Sequence, residues 1–344
     1  MFLCLFRIVH RIVNIYELLR PILFSLPPEW AHQLTLNALR WYGYLPAKRN
    51  TVSSTIDVGG LHVVNRVGLA AGFDKDGVAI RGLSKFNFGF LELGAVTPRG
   101  QQGNSRPRVF RLKNEFALIN RLGFNNQGID ALIRKIVNEK PRVCVPIGIN
   151  IGKNFDTPLE QAIDDYEYCF VRANSLVDFV TINISSPNTP GVRELQGMQY
   201  VQNLLARLVR LRDSSTTNNQ KRTLLLAKIS PDLSEQELEG VCTTVRSEGI
   251  DGIIATNTTT TRPNENGEQY KGGLSGRPLF PLALNCVRQA RSFLGEGFLL
   301  VGCGGIWDVA SATKMREAGA DLIQLYTGLV YHGPRCLREI TLVE

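Results

Sequence analysis

The chain has 344 residues, 44% of them hydrophobic and 20% charged, with a net charge of +8. That length and balance suit one large core with a small appendage, and exclude a disordered chain or a multispanning membrane protein. Seven scattered cysteines without a C-x-x-C pair exclude a disulfide framework, a zinc site and an iron–sulfur cluster; all seven read as small buried hydrophobes.

The charge is concentrated at the amino end. Residues 1–50 hold six basic side chains (Arg7, Arg11, Arg20, Arg40, Lys48 and Arg49) against Glu17 and Glu29, half of the whole surplus. Such a segment seeks an anionic partner, a membrane surface or a nucleic acid. Within 2–24 the polar residues Arg7, Arg11, Asn14, Glu17 and Arg20 recur at gaps of three and four, one stripe of a helix. No apolar run reaches 18 residues, so a membrane span is not expected, and the interleaved arginines do not suit a signal peptide. The pattern predicts an amphipathic helix lying in a membrane interface. Pro21 and Pro27-Pro28 break it, and Glu29-Trp30-Ala31-His32 opens a second helix with apolar positions at Ala31, Leu34, Leu36, Leu39 and Trp41. Residues 1–45 therefore read as a hydrophobic lid on a body of residues 46–344; the plainer alternative is two ordinary helices packed on the core.

From residue 67, short β-branched runs alternate with helical patterns. Strands are expected at 67–72, 88–96, 145–151, 179–185, 224–230, 252–257, 298–304 and 322–327. Between them lie amphipathic stretches, one with Ile129, Leu132, Ile133, Ile136 and Val137 on a face, another with Val201, Leu204, Leu205, Leu208 and Val209. Ser234-x-x-Glu237 is a capping box opening a third. Eight β-then-α units over this length predict an α/β fold of the (β/α)8 TIM-barrel type, with a doubly wound sheet as the alternative.

Chemistry on such a barrel sits at the carboxyl ends of the strands. Those ends hold Gly72 to Lys75, Asn150 to Asn154, Asn183 to Asn188, Lys228, Thr256-Asn257-Thr258, Gly304-Gly305 and Tyr326-Thr327. They supply amides, hydroxyls, lysines and one carboxylate, Asp74. A glycosidase needs two carboxylates and a hydrolytic zinc enzyme needs clustered histidines, so neither is expected. A planar, anionic, amide-rich ligand suits these donors. AAGFDKDG (70–77) also makes a good turn, and Ser-Pro-Asn-Thr-Pro is ordinary turn chemistry. Neither explains Asn183, an amide inside an apolar strand. VGCGGI (301–306), after the seventh strand, stands where barrels bind phosphate.

GLAAGFDKDG, GAVTPRGQQGNSRPRVFRL, INRLGFNNQG, GINIGKN, INISSPNTPGVREL, ATNTT, GGLSGRPL and VGCGGI, in this order over residues 25–340, resemble the quinone-dependent (class 2) dihydroorotate dehydrogenases. The amphipathic extension is also similar to that class; soluble class 1 relatives lack it and carry cysteine where this chain has Ser186. The resemblance implies oxidation of dihydroorotate to orotate in pyrimidine biosynthesis, with FMN as cofactor and a membrane quinone as acceptor. FMN would meet Ala71, Gly72, Phe73, Asp74 and Lys75 of the first loop, Ala95, Asn150 and Asn183, Lys228 beside the ring, then Thr256, Gly276, Gly305, Tyr326 and Thr327. Substrate would be held by Lys75, by Asn120, Arg121, Leu122, Gly123 and Phe124, and by Asn183, Asn188, Asn257 and Thr258. Ser186 would be the general base, although a serine hydroxyl needs activation and no partner for it is evident. His32, Arg111 and Tyr326 would form the polar end of a quinone tunnel under the amino-terminal helices; His32 taken alone reads as a surface histidine. Ala95 departs from the hydroxyl residue usual in the class, and Thr327 replaces a common serine. The expected location is peripheral, on the cytoplasmic face of a bacterial inner membrane, or alternatively on the mitochondrial inner membrane, with no nucleic-acid partner. A phosphosugar barrel would be colourless, and a non-catalytic membrane module would not need Lys75, Ser186 and four asparagines on one face.

Overall fold

The computed structural model describes residues 16–46, 55–185, 198–215, 222–262 and 270–343. Its strands in chain order are β1 (Ile56–Val58), β2 (Leu61–Val63), β3 (Val67–Leu69), β4 (Phe90–Val96), β5 (Val109–Leu112), β6 (Ala117–Asn120), β7 (Ile147–Ile151), β8 (Phe179–Asn183), β9 (Leu224–Ile229), β10 (Gly252–Ala255), β11 (Gly273–Gly276), β12 (Leu299–Cys303) and β13 (Leu322–Leu325). β3, β4, β7, β8, β9, β10, β12 and β13 close in that order into a parallel eight-stranded barrel. These are the eight expected strands, most of them trimmed at the carboxyl end, with 88–96 and 145–151 trimmed at the amino end instead. The doubly wound alternative is excluded by closure.

The expected helices are in place: α4 (Ile129–Glu139) buries Ile129, Leu132 and Ile136 but leaves Val137 exposed. α6 (Met198–Ser215) buries Val201, Leu204, Leu205 and Leu208. α7 (Glu235–Ser247) opens on the Ser234–Glu237 capping box, and a second box, Asp308 with Ser311, opens α9 (Val309–Glu317).

Two sheets outside the barrel close its ends. The β1–β2 hairpin plugs the amino-terminal end, where Val58, Leu61 and Val63 pack with Phe90, Phe179, Leu224 and Leu299. Phe90 and Phe179 meet edge to face at 5.9 Å. Each fills the space of a missing side chain: a Cβ on Gly68 would sit 2.2 Å from the Phe90 ring, and one on Gly148 the same distance from Phe179. Over the carboxyl end lies a three-stranded antiparallel sheet, β5–β6–β11.

Beside that roof lie a helix over residues 16–25 and α2 (Pro28–Tyr44). Lys85 Nζ donates to the carbonyls of Tyr42, Gly43 and Leu45, satisfying orphaned acceptors at the end of α2. The buried Arg108 pairs with Glu29 at its start, at 2.9 Å. On the first helix Arg20 donates to the Tyr331 carbonyl, and Glu17 pairs with Arg335 at the surface. Leu23 and Phe24 line a cavity beneath it, while Leu18 and Ile22 face out, 76% and 60% exposed, joined by Trp30 and Trp41 of α2 at 67% and 74%. Arg7, Arg11 and Asn14 lie outside the described residues. No helix among the described residues is long and apolar enough to cross a membrane. Cys169, Cys242, Cys286 and Cys336 are buried as expected, whereas Cys144 is exposed, on the loop just before β7.

Candidate active site

The barrel mouth is organised around a side chain that the strand-end reading passed over. Glu92, in the middle of β4, is fully buried. Its Oε1 accepts from Asn150 Nδ2 at 2.8 Å; its Oε2 accepts from Gln324 Nε2 at 2.7 Å and from the Ala71 amide at 3.3 Å. Lys228 Nζ stands 3.6 Å from the same Oε2. A carboxylate removed from water requires such compensation. Burial disfavours the Lys228 charge, but the Glu92 carboxylate, helped by Cys303, overrides it and holds the ammonium above the ordinary lysine value.

From Asn150 the amides run on in a chain. Asn183 Nδ2 donates to Asn150 Oδ1 at 2.9 Å, and Asn257 Nδ2 donates to Asn183 Oδ1 at 3.3 Å. The buried Ser185 hydroxyl takes a bond from Asn257 Nδ2 and gives one to the Lys228 carbonyl at 2.7 Å. Tyr166 fixes the strand below by donating to the Asn183 carbonyl. Lys75 reaches across to Asn125 Oδ1 at 2.8 Å, and burial together with the Arg108 charge brings its ammonium down to about 8.

Lys75, Asn150, Asn183, Lys228, Asn257 and Gln324 face a cavity of about 130 Å³, open to the outside. Ala71, Gly72, Lys75, Ala95, Asn120, Leu122, Gly123, Phe124, Asn150, Asn183, Lys228, Thr256, Asn257, Thr258, Gly276, Gly305, Tyr326 and Thr327 all line it. Three expected residues do not. The Asp74 carboxylate is occupied by the Val78 and Ala79 amides at 2.8 and 2.7 Å, capping its own loop, and burial pushes it up to about 6. Phe73 turns the other way, towards the lid. Arg121 points outward, donating to the Pro107 carbonyl and lying over the Phe110 ring. Among the described residues, the carboxylate to which the mouth groups bond is thus Glu92 rather than Asp74. Ser186 and Asn188 lie outside the described residues.

A second cavity of about 930 Å³ lies between the two amino-terminal helices and the roof. His32, Arg111 and Tyr326 all line it. Arg111 donates to the Leu26 and Leu23 carbonyls. The His32 ring is not a surface group: it meets Phe73 edge to face at 5.4 Å, and Phe73 meets Tyr326 at 5.8 Å. Burial, with the Lys75 charge, lowers the His32 imidazolium to about 4, so the ring is neutral at neutral pH. Gly72, Lys75, Leu122 and Tyr326 belong to both cavities and form the wall between them.

Sequence reasoning missed Glu92, Gln324, Asn125 and Ser275, whose hydroxyl lies 2.8 Å from that of Thr327. For Glu92 the signal was present. A charged residue inside the apolar run FLELGAV is as anomalous as Asn183 in its strand. Asn125 and Ser275 reach the site through the β5–β6–β11 roof, which has no simple periodic signature.

The family model for dihydroorotate dehydrogenase matches residues 53–342. A dihydroorotate dehydrogenase (quinone) of Aromatoleum aromaticum is 46% identical over 329 residues, covering 94% of this chain and 93% of its own. One of Coxiella burnetii is 47% identical over 336 residues, covering 95% of each. The crystal structure of the Eimeria tenella enzyme DHODH in complex with ferulenol superposes with a TM-score of 0.84 at 33% identity, covering 93% of both chains. Sequence over nearly the full length, a closed barrel and a lid with its own cavity all agree: this chain belongs to the quinone-dependent class of the dihydroorotate dehydrogenase family.

Proposed function

We propose that this chain oxidises dihydroorotate to orotate in pyrimidine biosynthesis, with FMN in the barrel mouth and a membrane quinone as acceptor in the larger cavity. The observation that carries the reading is the pair of cavities sharing one wall, a polar one on the barrel axis and a larger one under the helical lid. Two half-reactions with chemically unlike substrates require such a division. The mouth cavity is smaller than the roughly 300 Å³ at which small-molecule sites begin, so a cofactor would extend from it into the open mouth. The polar groups fit a flavin: Lys228, the Asn150 and Asn183 amides and hydroxyls at Thr256 and Thr327, with an open acceptor at the buried Gln324 Oε1, which has no partner among the described residues.

In this reading Lys228, Asn150, Asn183 and Thr256 would hold the flavin ring, together with Ala71, Gly72 and Ala95 of the same cavity lining. Gly276, Gly305, Tyr326 and Thr327 would hold the ribityl phosphate. FMN bound there would supply the hydride acceptor and the electron link to quinone. Lys75 binds the substrate carboxylate, while Asn120, the Leu122–Phe124 backbone, Asn183, Asn188, Asn257 and Thr258 read the carbonyls and N–H groups of its ring, since an amide offers donor and acceptor together. Ser186 takes the proton from C5 as the hydride leaves C6. Residues 1–45 form the membrane and quinone-access extension, and the exposed Leu18, Ile22, Trp30 and Trp41 seat the protein peripherally on the cytoplasmic face of a bacterial inner membrane. Purified protein should be yellow, release one FMN per chain on denaturation, and reduce a quinone on addition of dihydroorotate. A colourless protein that cannot be reconstituted with FMN would sink the reading.

A further inference from the structure

Glu92 does not line the mouth cavity, yet the groups that do are arranged about its charge. A carboxylate only accepts hydrogen bonds. Asn150 must therefore turn its NH2 towards Glu92, which leaves Asn150 Oδ1 for Asn183 Nδ2. Asn183 Oδ1 is in turn left to accept from Asn257 Nδ2 and the Ser185 amide. The shape of an amide does not by itself distinguish its oxygen from its nitrogen. Here one charge decides the direction of three amides in series. The same logic holds on the opposite side: Gln324 gives Nε2 to Glu92, so its buried Oε1 is left as an open acceptor.

We propose that Glu92 is a positioning residue: its carboxylate sets the donor–acceptor direction of the Asn150–Asn183–Asn257 chain and of Gln324, and anchors the Lys228 ammonium. A ligand in the mouth then meets a single charge and a single hydrogen-bond pattern. Glu92 acts only through these side chains. Its two anchors come from β7 and β13, which flank neither each other nor β9, the strand of Lys228. One buried charge therefore ties together positions spread around the barrel.

The test is Glu92→Gln, which keeps the volume, removes the charge and lets an amide donate where only acceptance was possible. Lys228 then becomes a buried, unpaired cation that sheds its proton more readily than in the unfolded chain. Because the unfolded chain binds the extra proton, stability must rise with pH. The apoprotein variant is expected to gain a few degrees of melting temperature, relative to the parent, between pH 6 and 9. The cofactor arm rests on the FMN reading. There the variant should bind FMN roughly 10- to 100-fold more weakly, the scale of a lost charged hydrogen bond, and its flavin midpoint potential should gain a pH dependence over the same range. Parental melting curves together with a parental potential overturn the proposal. Should Glu92→Gln alone fail to fold, the Glu92→Gln/Lys228→Gln pair, which removes both charges, is expected to fold; a pair no better than the single variant also overturns it. A parent chain that binds no FMN ends the flavin reading, and the apoprotein melting arm still decides the role of Glu92.

Discussion

The barrel mouth and the helical lid solve opposite problems with the same chain. At the mouth, charge and amides are withdrawn from water and must be matched one by one, as around Glu92. In the lid, Arg20, Glu17 and Glu29 serve as tethers, Leu23, Phe24, Leu36 and Leu39 line the larger cavity, and Leu18, Ile22 and Trp41 face outward. The first arrangement fixes a geometry to fractions of an ångström, as a proton and hydride transfer demands. The second needs only an apolar space with a way in, and a short helix pair held by a few tethers supplies it.

If that division holds, the largest effect comes from Ser186, on the mouth side alone. Ser186→Ala should slow flavin reduction by dihydroorotate by roughly 10²- to 10⁴-fold, the contribution of a positioned proton acceptor, with substrate affinity little changed. Reoxidation by quinone should be unaffected. Stopped-flow mixing with each substrate separately resolves the two steps. An alanine variant within a few-fold of its parent would make Ser186 a turn residue.

A pH series sharpens the contrast without any mutation. Lys75 sits near 8, so above that pH the free protein loses the cation meant for the substrate carboxylate. KM for dihydroorotate should be flat below pH 8 and rise by about tenfold per unit above it. His32, near 4, is already neutral throughout this range, so KM for quinone should stay level from pH 6 to 9. A quinone KM that breaks near pH 6.5 would mean that His32 is hydrated rather than packed on Phe73.

The two regions also differed in how much of them could be read in advance. The eight strands were legible because each is a short run of β-branched residues bounded by turns, and strand order followed from closure. Most mouth residues were legible for a related reason: on a barrel, position in the strand dictates position at the site. Asp74 shows where that rule fails. It stands at a strand end, but its carboxylate is nearer to the Val78 and Ala79 amides of its own loop, and local capping won. Glu92 lies deeper than the last residues of its strand, below the positions the rule inspects. The β1–β2 plug and the β5–β6–β11 roof were not read at all: their strands are as short as β3, β10 and β13 but lie outside the β-then-α alternation that singled those out. Cys144 is exposed although Val143 and Val145 on either side of it pack against the core.

The lid supplies the smallest of the expected effects. Trp41 lies on the outward face of α2, 74% exposed, and does not line the larger cavity, whereas Trp30, 67% exposed, does. Tryptophan favours the headgroup level of a bilayer because its ring is apolar and its N–H is polar. Trp41→Ser should therefore weaken binding to anionic vesicles several-fold and raise KM for a long-chain quinone presented in those vesicles. A short-chain, water-soluble quinone reaches the same cavity without the bilayer, so its turnover should be that of the parent, as should flavin reduction by dihydroorotate. Co-sedimentation with vesicles and the two quinone assays separate docking from entry. Equal losses with both quinones would place Trp41 in the wall of the cavity and remove the membrane-docking role from this face of the lid.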